Sequence, residues 1–278
     1  EVRARLKRGT LANGQSAKVR DGAMSLPTSE DDDAVDVPSP APALRSFGRR
    51  RGRKLSPTQE RLLADVLPRV AATTGPGDDA GGSVTLAPDL SARLESNVAC
   101  WIEIGFGGGE HLVWQAEHNT DVTLIGCEPF VDGVVKVLSA IDAAKRRNIF
   151  VHDDDARPLL EALPAGRLTC AFILFPDPWP KKRHQKRRLV NDAFLDQLAR
   201  VLAPGAEVRF ATDIPDYARS ALLAFTRHPS FVWPAVSRSD WSVRGDDWPK
   251  TRYEAKAERE GRRSCYFRFF RRDETGSS

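Results

Sequence analysis

Apolar and polar positions change their rhythm along this chain. From residue 98 onward, short apolar runs alternate with stretches of helical spacing. The runs at 98–104, 121–127, 149–152, 169–175 and 208–211 predict strands. Residues 110–117, 131–147, 157–163, 189–202 and 217–226 read as helices between and after them. In the second of these, Val134, Val135, Leu138 and Ile141 fall on one apolar face. Gly205 stands where a glycine commonly ends a helix. Two late apolar runs, 231–236 and 265–270, predict further strands. Strand alternating with helix predicts an α/β fold with a doubly wound, mostly parallel seven-stranded sheet. No internal repeat appears.

Upstream of residue 98 the pattern is weaker. Residues 1–23 are polar and basic without periodicity, residues 24–44 mix acids, Ser, Pro and Ala, and 1–44 together read as a disordered extension. Met24 is the only methionine, so residues 1–23 read as sequence ahead of a natural start. Residues 45–54 (Arg-Ser-Phe-Gly-Arg-Arg-Arg-Gly-Arg-Lys) form a basic arm. Ser56-Pro57 with Glu60 reads as a helix start, running to Leu67, and residues 73–83 as a Gly/Asp loop. The expected division is therefore an extension at 1–44, an arm and helix region at 45–90, and a Rossmann-like α/β domain at 91–275.

Composition narrows the function. The net charge is only +4, but the cations are clustered at 49–54 and 181–188, which points to an anionic partner. No apolar stretch reaches the roughly 20 residues that cross a bilayer. The N-terminus lacks the apolar segment of a secretory signal, so a cytoplasmic setting is expected. Cys100, Cys127, Cys170 and Cys265 are far apart, three of them in strand-like runs. They read as reduced core thiols, with no metal site.

Three features carry chemistry. Glu103-x-Gly105-x-Gly107-x-Gly109 follows the first domain strand, where glycines let the backbone pass close to a ligand. The dinucleotide fingerprint is G-x-G-x-x-G. Here the spacing is G-x-G-x-G with an acid ahead of it, as in the first motif of class I S-adenosylmethionine-dependent methyltransferases. Such a cofactor carries a sulfonium and an amino group, so an acid near the loop helps it and would repel a pyrophosphate. Glu128 ends the second strand, where an acid can bond ribose hydroxyls. Asp155 ends the third, beside Asp153 and Asp154, with an adenine contact and a helix cap both open to it. The run Phe175-Pro-Asp-Pro-Trp-Pro-Lys-Lys-Arg-His-Gln-Lys-Arg-Arg188 then places an acid, an indole and six cations at the exit of the fourth strand. The acid and ring suit a nucleobase and the cations suit phosphates.

That run closely resembles the signature of tRNA (guanine-N7-)-methyltransferases. The similarity extends to Glu-Ile-Gly-Phe-Gly at 103–107, Ala-Thr-Asp at 211–213, Thr-Arg-Tyr-Glu at 251–254 and the arm from Arg45, covering residues 45 to about 271. The resemblance implies methyl transfer from S-adenosyl-L-methionine to N7 of the guanine at position 46, in the tRNA variable loop. It implies that Glu103, Gly105, Gly107, Glu128, Asp155 and Asp177 bind the cofactor, with Asp177 also the catalytic position. It implies that Lys181, Asp213, Thr251, Arg252, Tyr253 and Glu254 bind substrate. Arg252 stands where many members have Lys. Trp179 is open to stacking on the base or bracing the loop, and a monomer or a homodimer fits the sequence. Two rivals share features with this reading. Methylation of another RNA would use the same motifs; a nicotinamide-dependent oxidoreductase would share the sheet and Glu128, but not the glycine spacing.

Overall fold

The computed structural model describes residues 50, 52, 54–75 and 84–273. The expected extension at 1–44, and most of the basic arm, lie outside these.

The first ordered helix begins as expected. Ser56 accepts from the Gln59 backbone N–H, and the Gln59 side chain accepts in return from Ser56 N at 2.9 Å, closing a capping box. The helix outruns the expected Leu67. α1 (Pro57–Arg61) passes through a π-helical turn, Leu62–Val66, into α2 (Leu67–Val70). Pro68 supplies a reason: its ring clashes with the carbonyl four residues back and widens the turn ahead of it. A two-residue ladder pairs β1 (Thr73–Thr74) with β2 (Thr85–Leu86), and α3 (Pro88–Glu95) follows.

The domain then alternates as the hydrophobic pattern demanded. Its elements are β3 (Cys100–Ile104), α4 (Glu110–His118), β4 (Thr123–Cys127), α5 (Val131–Ala144), β5 (Ile149–His152), α6 (Ala156–Ala162) and β6 (Leu168–Leu174). A 3-10 segment at Lys182–Arg187, which the pattern did not show, precedes α7 (Asp192–Val201), β7 (Leu202–Thr212) and α8 (Pro215–Arg227). The chain ends with β8 (Phe231–Val232), α9 (Ser239–Ser242), α10 (Arg252–Arg259) and β9 (Cys265–Arg271). The large sheet has seven strands in the order β5-β4-β3-β6-β7-β9-β8, with β9 antiparallel to both neighbours. α7 begins later than expected because Asn191 caps it, its Oδ1 accepting from Phe194 N at 3.1 Å. Gly205 does not terminate that helix. β7 starts directly at Leu202, and Gly205 provides a left-handed bend (φ +75°) within it.

Alternation along the strands divides the core. Ile102, Ile104, Ala171, Ile173, Val208 and Phe210 face α3, α6, α7 and α8. Leu124, Ile149 and Val151 pack with the π-helical turn, α2, α4 and α5 on the other side. Beyond them, Cys170, Phe172 and Leu174 meet Ala211, Tyr266 and Trp248, so the 248 segment covers that face where the helices stop. All four cysteines lie in strands as free thiols; Cys100, Cys127 and Cys170 are buried and Cys265 is half-buried. Among the described residues no helix is long and apolar enough to cross a membrane. The chain runs outward through β3, β4 and β5 and returns to β6 beside β3. The carboxyl ends of β3 and β6 therefore form the topological switch point, where open α/β sheets place their ligands.

Candidate functional site

A cavity of about 450 Å³ opens at that switch point. Its floor is the turn after β3. Gly105, Gly107 and Gly109 all have positive φ there, a conformation that favours glycine. The turn packs tightly on α5: a Cβ on Gly133 would lie 2.0 Å from the Gly107 carbonyl oxygen.

Glu128 joins the turn to β4. Its Oε2 accepts from Gly107 N at 2.7 Å and its Oε1 from Phe130 N at 2.9 Å. Burial raises its carboxyl above the usual carboxylate range against those two donors, and the Asp177 carboxylate adds to the rise. Asp154 and Asp155 form the next wall. Asp155 caps α6 and is gripped by Arg157, Nε to Oδ1 at 2.8 Å and Nη2 to Oδ2 at 2.7 Å. Burial pushes the Asp155 carboxyl up, but the Arg157 bonds outweigh it and hold it low. Asp154 accepts from Asp155 N and from Arg50, so the described part of the basic arm reaches this rim. The Arg50 carbonyl also accepts from Val131 N at 3.1 Å.

The opposite wall is the loop after β6. Phe175 (φ +52°) and Trp179 (φ +42°) both hold left-handed backbone. A non-glycine residue there costs about 1–2 kcal/mol, and such strain persists where surroundings over-determine it. Asp177 stands between them at the cavity mouth, exposed, and among the described residues no hydrogen bond reaches its carboxylate. Lost hydration holds its carboxyl above the ordinary range. Trp179 lines the cavity with the Arg187 guanidinium 5.0 Å from its ring centroid. Across from them Tyr253, 45% exposed, lays its ring over Gly107.

Four carboxylates line this cavity, with Asp154 and Asp155 paired to Arg50 and Arg157. At the glycine turn a pyrophosphate would meet the Glu128 carboxylate and would find the Gly107 N–H already bonded to it. A ligand carrying positive charge meets neither obstacle. A larger hollow of about 710 Å³ lies at the opposite strand ends. Its cations include Arg69, Arg93 and Lys145, which sit in or just past the last turns of α2, α3 and α5 and complement those helix dipoles.

The chain is similar to known proteins over most of its length. A family model described as "Putative methyltransferase" matches residues 97–266. A tRNA (guanine-N(7)-)-methyltransferase of Ruegeria sp. is 46% identical over 235 residues, covering 84% of this chain and 91% of the relative. The tRNA (guanine-N(7)-)-methyltransferase of Rhodospirillum rubrum is 47% identical over 234 residues, covering 84% and 90%. The chain belongs to the tRNA (guanine-N(7)-)-methyltransferase family. Among solved structures, the 16S rRNA methyltransferase KamB is 14% identical with a TM-score of 0.47, covering 68% of this chain and 96% of its own.

Within that family frame the cavity gathers Gly105, Gly107, Glu128, Asp155, Asp177 and Tyr253. The other expected site residues lie elsewhere. Glu103 is 3% exposed and does not line the cavity; its Oε2 sits 2.8 Å from His111 Nδ1. Gln115 links His111 Nε2 at 3.1 Å to the Asp247 carbonyl at 3.0 Å. Thr251 caps α10, its hydroxyl accepting from Glu254 N at 3.2 Å. Glu254 is buried, accepting from Arg244 Nε at 3.0 Å and the Tyr266 hydroxyl at 2.7 Å. Asp213 is paired with Arg262 at 2.5 Å. Arg252 leans over Gly108 towards Glu110, and Lys181 is exposed ahead of the 3-10 segment. Sequence reasoning missed Arg157 and His111, and read Arg188 as one more phosphate-binding cation of the basic run. Only Arg157 left a trace, as a cation two residues after a capping Asp. No described group of His, Cys, Asp and Glu could hold a metal ion.

Proposed function

We propose that the protein transfers a methyl group from S-adenosyl-L-methionine to N7 of a guanine in tRNA, at position 46 of the variable loop. One observation carries the reading: the acid-lined glycine turn and the cation-bearing loop of Asp177 and Trp179 open into one cavity.

The cofactor suits the residues present. Its sulfonium and amino groups favour a wall of carboxylates, and its nucleoside needs an acid at the β4 end, where Glu128 stands. Glu128 would hold the ribose, Asp155 or Asp154 the adenine side, and Asp177 the end nearest the acceptor. When bound, the cofactor supplies an electrophilic methyl group.

The acceptor chemistry sets what the protein must do. Guanine N7 has an in-plane lone pair and no proton, so its attack needs no general base. Positioning and exclusion of water are the main requirements. Asp177 is therefore a positioning and electrostatic group: its carboxylate faces a purine that gains positive charge as the bond forms. His184 has no basic task. Limited hydration and the neighbouring Arg187, Arg183 and Lys181 hold its imidazole below the usual range.

N7 lies in the major groove, which is deep and narrow in A-form RNA. An irregular loop presents it openly. Lys181, Lys182, Arg183 and Lys186 are exposed beside the cavity and suit its phosphates. The test is incubation with labelled S-adenosylmethionine and bulk tRNA, followed by mapping of the methyl group. Transfer to guanine N7 supports the reading. Transfer to another atom or nucleotide of the tRNA, or no transfer, overturns it.

A further inference from the structure

The last arginine of the basic run does not belong with the others. Arg188 is 6% exposed, while Lys181, Lys182, Arg183 and Lys186 are open to solvent. Its guanidinium donates in three directions. Nε reaches the Pro178 carbonyl at 3.0 Å, Nη1 the Ser220 hydroxyl at 2.9 Å, and Nη2 Asp216 Oδ2 at 2.5 Å. Its flat face lies over the Tyr217 ring, 4.8 Å from the centroid. Asp216 also accepts from Gln185 at 2.8 Å.

These contacts fall at a critical place. The Pro178 carbonyl belongs to the peptide bond that enters Trp179, one of the two strained residues flanking Asp177. A left-handed tryptophan relaxes unless its peptide plane is held. Arg188 holds that plane from ten residues away and transfers the load to the first turn of α8. The planar fork of arginine can satisfy a carbonyl, a hydroxyl and a carboxylate at once, while an ammonium cannot keep that geometry.

We propose that Arg188, braced by Asp216, is a positioning residue that fixes the Asp177–Trp179 loop in its methyl-transfer conformation and makes no contact with RNA. The inference rests on the reading that this loop carries the reaction. It separates the basic run into an outer set that grips phosphates and an inner member that shapes the site.

Steady-state kinetics on three variants test it. Arg188→Gln should lower kcat on the order of 10²-fold, the loss expected of a displacement of about 1 Å. The KM for tRNA and its salt dependence should stay as in the native protein. Arg188→Lys should lose turnover in the same way despite keeping its charge. Asp216→Asn, a change at a side chain 62% exposed and so safe for folding, should lower kcat and leave tRNA affinity alone. A phosphate-binding Arg188 gives different results. Removing its charge would reduce the salt slope by about 1, and freeing it from Asp216 would tighten tRNA binding. Either result overturns the proposal, as does unchanged turnover in Arg188→Gln and Asp216→Asn. An inactive native protein would instead refute the assigned reaction, so the two failures are distinguishable.

Discussion

Gly133→Ala sets two effects against each other at the base of the site. Gly133 is the third residue of α5, where alanine is favoured over glycine by at most about 1 kcal/mol. By helix propensity alone the variant is more stable. Packing opposes this. The new Cβ would stand 2.0 Å from the Gly107 carbonyl oxygen and 3.2 Å from Glu128 Cγ. Restoring an ordinary contact of 3.4 Å requires the turn to retreat by about 1.4 Å. The neighbour is backbone, so no side-chain rotation relieves the clash. Overpacking of this kind costs about 1–3 kcal/mol, so the net effect on stability lies between neutral and about 2 kcal/mol unfavourable. Binding should suffer more. The displaced groups are the two ends of the 2.7 Å bond between Gly107 N and Glu128 that shapes the ribose wall. We expect the Kd for S-adenosylmethionine to rise at least about tenfold, equivalent to about 1.4 kcal/mol. Urea denaturation and titration calorimetry read the two quantities separately. A variant stabilised by about 1 kcal/mol with unchanged cofactor affinity would refute the close packing of the turn on α5.

Other expectations follow from the charges and the core. Asp177 has its carboxyl raised by lost hydration, so activity should fall with decreasing pH at a higher point than an ordinary aspartate would give. Asp177→Asn should remove that acid limb and lower kcat more than tRNA affinity; a limb that survives the change would show that another group titrates. Asp155 is held below its unfolded value despite burial, through Arg157. Its stabilisation is present above the unfolded pKa and is lost as pH falls through the folded one. Arg157→Met should flatten that part of a pH–stability curve, and an unchanged curve would count against the pair. Trp248 is fully buried with no partner for its Nε1 among the described residues, so Trp248→Ala should cost about 3–5 kcal/mol and Trp248→Phe far less. Equal losses in the two variants would show that the indole N–H is satisfied. If about four phosphates are neutralised, log affinity for tRNA should fall against log salt with a slope of roughly −3 to −4; a flat response would remove phosphate contact as the source of affinity.

The fold was legible because its signal is local. Alternation at Cys170, Ala171, Phe172 and Ile173 sends neighbours to opposite faces, and each domain strand from β3 to β7 has such a run. The boundaries that shifted did so through single residues: Asn191 capping α7, Lys145 turning left-handed after α5, Pro68 widening the first helix. The site was legible in its motifs but not in its pairings. Nothing near Asp154 in sequence announces Arg50, 104 positions away, nor does Arg188 announce Asp216, 28 away. Arginines in one basic run look alike until a partner is placed beside one of them. For the same reason Glu103 reads as a cofactor ligand, while the structure turns one of its oxygens to His111. α10 was missed because its residues are strongly polar and its helical start depends on the Thr251 cap.

The pairing pattern also explains how an acidic pocket and a basic run can share one opening. Methyl transfer to N7 moves a positive charge from donor to base and creates no new one. Carboxylates at both ends of that path therefore face a cation before and after the step. In the proposed reading Asp177 stands at the acceptor end of that path and Glu128 on the ribose side, and lost hydration raises both carboxyls. Asp155 is different. Arg157 already neutralises it, so it can accept a hydrogen bond from a neutral ring without adding charge where none is needed. In the proposed reading the exposed Lys181, Lys182, Arg183 and Lys186 beyond Trp179 meet phosphates instead of the reacting atoms. The loop between these regions must hold its shape against attraction from both sides, and its two left-handed residues show that it does not do so by local preference. A restraint from outside the loop is needed, and the Arg188 bond to the Pro178 carbonyl supplies one at the entry to Trp179.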